Sequence, residues 1–158
     1  MGDSRPRANI DKVRELLTSR FLVSFLADSA SLTNDEKAQV SAVLRNVELR
    51  LKQSGWLYSV NNWWWQGGCV VASEERAKYL IPVLPSSWTV TSYTHFTVLH
   101  TWNVIYFTAS NGSTYYWRAD TYLAGTTLID YLGTTIPSWM YKTPENGTYS
   151  GGRPGRGW

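Results

Sequence analysis

The sequence predicts an α+β protein: two amphipathic helices, a third helix that becomes buried, and then an antiparallel sheet packed on it. Three observations carry this reading. Apolar residues recur at steps of three and four through the first third of the chain. From Trp88 onward, runs rich in Thr, Val, Tyr, Phe and Trp are punctuated by a Ser-Asn-Gly turn. The helices and strands come in blocks rather than in alternation, which is the pattern of the α+β class.

Residues 1–8 are polar and read as loose. From Asn9 or Asp11 the first helical stripe begins, with Ile10, Val13, Leu16, Leu17, Phe21 and Phe25 in register. Asp28-Ser29-Ala30 breaks it. Thr33-Asn34-Asp35-Glu36 starts a second helix, with a capping side chain and acids that suit the positive end of the helix dipole. Val40, Val43, Leu44, Val47 and Leu51 form its apolar stripe, and Gly55 suits its stop. These helices carry no evident chemistry; they read as packing elements.

Composition changes after Gly55. Tyr58 to Gly68 is rich in Asn and Trp and ends Trp63-Trp64-Trp65-Gln66-Gly67-Gly68. A helix is expected from Cys69 to about Leu84, with Val70, Ala77, Leu80 and Ile81 inward and Pro82 and Pro85 closing it. Strands follow at 88–94, 95–108 and 114–122, with Ser110-Asn111-Gly112 joining the last two. A short helix is expected over 126–132. From Thr143 the chain is Gly, Pro, Ser, Asn and Arg and reads as a tail. The organisation is thus a helical segment over 1–55, a core over 56–142 and a tail over 143–158.

Composition narrows the function. Hydrophobic residues make up 43% and charged residues 17%, which suits a packed core rather than a disordered chain. The net charge of +3 comes from dispersed cations, so a nucleic-acid partner is not expected. A single cysteine excludes an internal disulfide, and with two histidines it argues against a metal centre. No cofactor is expected. The N-terminal residues do not form a signal peptide, and no stretch approaches the roughly 18 apolar residues of a membrane span, so a soluble protein is expected. Nine tryptophans and ten tyrosines fill a core, line a pocket or meet a partner.

Three residues point to nucleophilic catalysis. Cys69 follows two glycines and opens a helix, where unpaired N–H groups and the dipole favour a thiolate. Gly68 lets a substrate carbonyl approach the backbone. His100, expected in a strand, is the candidate base, and Asp120, closing the next strand, the candidate orienter of its imidazole. The geometry makes a demand on the intervening loop. A three-residue Ser110-Asn111-Gly112 loop sets Ala109 opposite Ser113 and places Asp120 diagonally beside His100 on one sheet face. A two-residue Asn-Gly turn puts them on opposite faces. The triad therefore requires the longer loop, with Gly112 in the left-handed conformation. Gln66 is a candidate oxyanion donor. Trp65 and Trp102 are candidate pocket walls. Asp130 is a rival carboxylate, set aside because it falls in the expected short helix; His95 reads as an ordinary strand residue.

Gly68-Cys69, then His100-Thr101-Trp102-Asn103-Val104, then Trp117-Arg118-Ala119-Asp120 resembles the transglutaminase-like branch of the papain-like superfamily. The likeness covers roughly residues 60–125. It is also similar to papain-fold toxin domains at the C-termini of large bacterial polymorphic toxins. Val70 stands where the family usually has an aromatic residue, and Thr121 where Pro is common. The resemblance implies a papain-like core with Cys69 as nucleophile, His100 as acid/base and Asp120 as orienter. It also implies a protein substrate, delivery into the cytosol of a target cell, and an immunity protein covering the pocket. A tryptophan-walled, water-poor site favours glutamine deamidation or transglutamination. Two other readings stand beside it: a cysteine peptidase or amidase with the same triad, and a non-enzymatic, aromatic-rich binding or virion component.

Overall fold

The computed structural model describes residues 24–53, 68–95, 101–120, 128–142 and 147–152. Residues 24–28 are helical and pass into a 3-10 turn, Ser29–Ser31, at the expected break. Helix α1 (Asn34–Gln53) then begins with a reciprocal cap. The Glu36 N–H donates to Thr33 Oγ1 at 3.1 Å, and the Thr33 N–H donates to Glu36 Oε1 at 2.9 Å. Two otherwise orphaned donors are satisfied in this way. The expected stripe is inside: Val40, Val43, Val47 and Leu51 are buried, and Leu44 packs against them.

Helix α2 (Gly68–Leu80) starts where expected and ends earlier than the sequence pattern suggested. Ile81–Val83 tightens into a 3-10 turn instead. Pro82 supplies no N–H and disfavours α geometry at the residue before it, so the α-helix stops at Leu80. Ala77, Leu80 and Ile81 face the core as expected.

The six strands are β1 (Trp88–His95), β2 (Thr101–Thr108), β3 (Thr114–Asp120), β4 (Leu128–Gly133), β5 (Met140–Lys142) and β6 (Tyr149–Ser150). They form one sheet in the order β4-β3-β2-β1-β5, with β6 also on β1, and every pairing is antiparallel. The α+β class is therefore shown. Three readings are corrected. His95 closes the first strand rather than opening the second. The short helix expected over 126–132 is instead strand β4 from Leu128 on. There the open edge of β3 offers backbone partners, and alternation sends Tyr131 into the core while Asp130 faces Arg118. Residues 147–152, inside the supposed tail, return to the sheet as β6, and the Gly151 N–H donates to the Trp88 carbonyl at 2.8 Å.

The two sheet faces are distinct. One carries Trp88, Val90, Ile105, Phe107, Tyr115, Trp117 and Tyr131 against α1 and α2 in a single core. Trp88 stacks on its register partner Phe107 and on Trp117, with ring centroids 4.7 and 5.3 Å apart. The other face carries Trp102, Val104 and Met140, flanked by half-buried Tyr93, Tyr106, Tyr116 and Trp139. Trp88, Trp102 and Trp117 are all buried, so core packing accounts for these three tryptophans. No helix among the described residues is long and apolar enough to cross a membrane.

Candidate functional site

The candidate residues divide sharply. Cys69 is the second residue of α2 and Gly68 the first. Asp120 closes β3, opposite Leu128. Trp102 lies buried in β2, with the Arg118 guanidinium 4.3 Å above its ring. His100, Gln66 and Trp65 lie outside the described residues, and so do any contacts among Cys69, His100 and Asp120. Among the described residues, no three His, Cys, Asp or Glu side chains cluster as a metal site.

What the structure does describe is how the helix bearing Cys69 is held. A buried polar seam joins α2 to the middle of the sheet. Ser73 Oγ donates to Ser92 Oγ in β1 at 3.0 Å. Asn103 Nδ2, in β2, donates to the Ser73 carbonyl at 2.8 Å and to Ser92 Oγ at 3.3 Å. Arg76 Nε donates to Asn103 Oδ1 at 2.8 Å. Ser92 and Asn103 are register partners, and Ser73, Arg76, Ser92 and Asn103 are all buried. Burying such groups is tolerable because they satisfy one another. Sequence reasoning included Asn103 only as a motif position and missed the other three. The available signal was polar residues at core positions: Ser73 and Arg76 share a helical stripe with Ala77 and Leu80, and Asn103 alternates with Ile105 and Phe107.

This seam fixes the direction of α2. Its C-terminal end lies near the start of β1, where the Gly152 N–H reaches the Ile81 carbonyl and the Gly151 N–H reaches Trp88. Ser73 lies at the row formed by Ser92, Asn103 and Ala119. The N-terminus of α2 therefore points toward the end of the sheet where β1 finishes, β2 begins and β3 finishes. Cys69 precedes Ser73 by one helical turn, and Asp120 follows Ala119 by one residue.

The hairpin takes the form that the triad requires. The Ala109 N–H donates to the Ser113 carbonyl at 2.8 Å and the Gly112 N–H to the Ala109 carbonyl at 3.0 Å. Gly112 has φ +89°, in the left-handed region. The register then runs from Thr108 opposite Thr114 to Asn103 opposite Ala119. One feature cuts the other way. Tyr116 and Arg118, which share Asp120's strand parity, lie on the face away from α2.

A second clamp on α2 comes from Glu74. Its carboxylate accepts from the Tyr149 hydroxyl and from the Gly147 N–H at 3.1 Å, and Lys78 Nζ is 3.8 Å away. Burial, followed by the bond and charge of Glu74, pushes the Tyr149 phenol up to about 12. Burial is also the main cause of the raised Tyr93 and Tyr106 phenols on the far sheet face.

Compared with known protein families, curated proteins and solved structures, the chain matches none.

Proposed function

We propose that this chain is a cysteine-dependent enzyme acting on protein amides, of the glutamine deamidase or transglutaminase type, with a papain-like core. Cys69 is the nucleophile, His100 the acid/base and Asp120 the orienter. The thiolate attacks a side-chain amide carbonyl, and His100 protonates the departing ammonia, leaving a thioester. Water or an amine then attacks that thioester, with His100 taking its proton. Gln66 and the N–H groups at the start of α2 are the candidate oxyanion donors, and Trp65 is the candidate pocket wall. Trp102, which packs under Arg118, is the second candidate wall.

The observation that carries this reading is directional. The α2 N-terminus, the start of β2 and the end of β3 converge on one end of the sheet. The three-residue loop supports it, because the alternative Asn-Gly turn would have separated His100 from Asp120 by parity. The resemblance to papain-fold toxin domains supports a delivered bacterial effector with an immunity partner.

The test is to incubate the chain, and Cys69→Ala beside it, with a glutamine-rich protein and a primary amine. A Cys69-dependent gain of about one dalton, or an amine adduct, supports the proposal. New peptide termini indicate the peptidase reading of the same triad. Equal mass profiles for the two chains across a panel of protein substrates overturn it. Expressing both in bacterial cells tests the effector role, which predicts growth arrest by the wild type alone.

A further inference from the structure

We infer that Asn103 is a positioning residue for Cys69, an inference that rests on the cysteine-enzyme reading above. Asn103 is fully buried, and both ends of its amide are engaged. Nδ2 holds the Ser73 carbonyl and Oδ1 holds Arg76 Nε, so one side chain grips α2 over nearly a full turn.

A polar seam of this kind gains little stability over a well-packed apolar one, because desolvation offsets most of what the hydrogen bonds return. It provides a single setting of the helix. Apolar contacts such as those of Ala77 and Leu80 tolerate sliding, whereas hydrogen bonds fail within a few tenths of an ångström or with a modest rotation. Cys69 lies four residues before Ser73, about 6 Å along the axis, so any slip at the seam is passed rigidly to the start of the helix.

Charge adds to position. Long helical side chains lean toward the helix N-terminus. Asn103 accepts from Arg76 Nε and donates to the Ser73 carbonyl, which holds the guanidinium at the seam within the helix that carries Cys69. A buried cation fixed in the same helix favours the thiolate. Asn103 thus acts on the nucleophile through the helix and through Arg76, without touching substrate.

Cys69 is the only thiol, so alkylation of the full chain by iodoacetamide, followed by intact mass across pH, reads its ionisation alone. Asn103→Leu removes all three hydrogen bonds at similar volume. Val90→Ala is the control, a buried truncation in β1 outside the seam. The expected result is a thiol midpoint raised by about one pH unit in Asn103→Leu, with roughly tenfold slower alkylation at pH 6. Val90→Ala, though less stable, should titrate like the wild type. A wild-type midpoint in Asn103→Leu overturns the inference and leaves the enzyme reading standing. A wild-type protein that itself titrates near the ordinary 8.5 overturns both. Should Asn103→Leu fail to fold, Ser92→Ala loosens the same seam more gently; an upward shift there supports the inference, and an unchanged profile sinks it.

Discussion

Glu36, in the first turn of α1, accepts hydrogen bonds from both the backbone N–H and the hydroxyl of Ser110, in the β2–β3 loop. The residue that caps the helix therefore also anchors the β2–β3 hairpin, whose register the proposed triad would need. The backbone bonds from Thr33 and Ser110 hold its carboxyl below the ordinary 4.5. Because the folded value is depressed, its contribution is complete above the unfolded value and is lost as pH falls through the folded one. Urea midpoints at pH 7 and pH 3 check this. Glu36→Ala should lower the midpoint at pH 7 and shrink the difference between the two pH values. An undiminished pH difference would place the acid sensitivity elsewhere.

Gly112 sets the hairpin by backbone conformation alone. Its φ is +89°, and nothing lies within 4 Å of where a Cβ would stand. Gly112→Ala should therefore cost about 1–2 kcal/mol of conformational strain with no packing loss, and Gly112→Asn less. Deleting Ser110 is the complementary test. It leaves a two-residue Asn-Gly turn between the same partners, Ala109 and Ser113, and so keeps the register and both faces of β3. That variant should keep cooperative unfolding, as should Gly112→Ala; differential scanning calorimetry checks this. Loss of the single transition in the deletion variant would show that loop length itself sets the register.

Much of this was legible in the sequence, and the reasons are physical. The α1 stripe and the Thr33–Glu36 cap follow from local periodicity and capping chemistry, which neighbouring residues determine. The three-residue loop is expected only as a demand of the triad, since Asn-Gly by itself suits a two-residue turn. Strand β4 was missed because Leu128-Ile129-Asp130-Tyr131 is short, and only the edge of β3 decides its state. Strand β6 was missed for the same reason: Tyr149 and Ser150 sit among turn formers, and their partners lie in β1 and α2. The seam of Ser73, Arg76, Ser92 and Asn103 joins three elements distant in sequence, and no local pattern reports such a meeting.

Residues 147–152 should behave as a strap on α2. Tyr149→Phe removes the hydroxyl bond to Glu74 and should cost about 1 kcal/mol. Gly151→Ala should do more, because its Cβ would stand 2.1 Å from the Pro85 carbonyl oxygen, and that is backbone. Amide exchange at Gly151, whose N–H is bonded to Trp88, reports release of the strap. Both variants should speed it, Gly151→Ala the more. The raised Tyr149 phenol gives a pH signature of opposite sign to that of Glu36: its contribution is complete below pH 10 and is lost as pH rises through about 12.

Asp120 and Asp130 offer two carboxylates for one role, and substitution separates them. Asp130 sits within β4, buried, with Arg118 as its register partner. Side chains directly opposed across antiparallel strands interact, and taking one charge from a buried opposed pair costs about 3 kcal/mol. Asp130→Asn should therefore lower the urea midpoint markedly and leave kcat of the remaining folded enzyme near the wild-type value. Asp120 closes β3 at the end of the sheet toward which α2 points. If it orients His100, Asp120→Asn should leave the midpoint almost unchanged and lower kcat by on the order of 10³-fold, because the imidazole loses its tautomer and its counter-charge. Stopped assays on folded protein, normalised by active-thiol titration, measure the two effects independently. The reverse pattern, with Asp130→Asn inactive and Asp120→Asn active, would move the orienting role to the interior of the sheet. Catalysis would then have to be built on the face that carries Trp102 and Arg118.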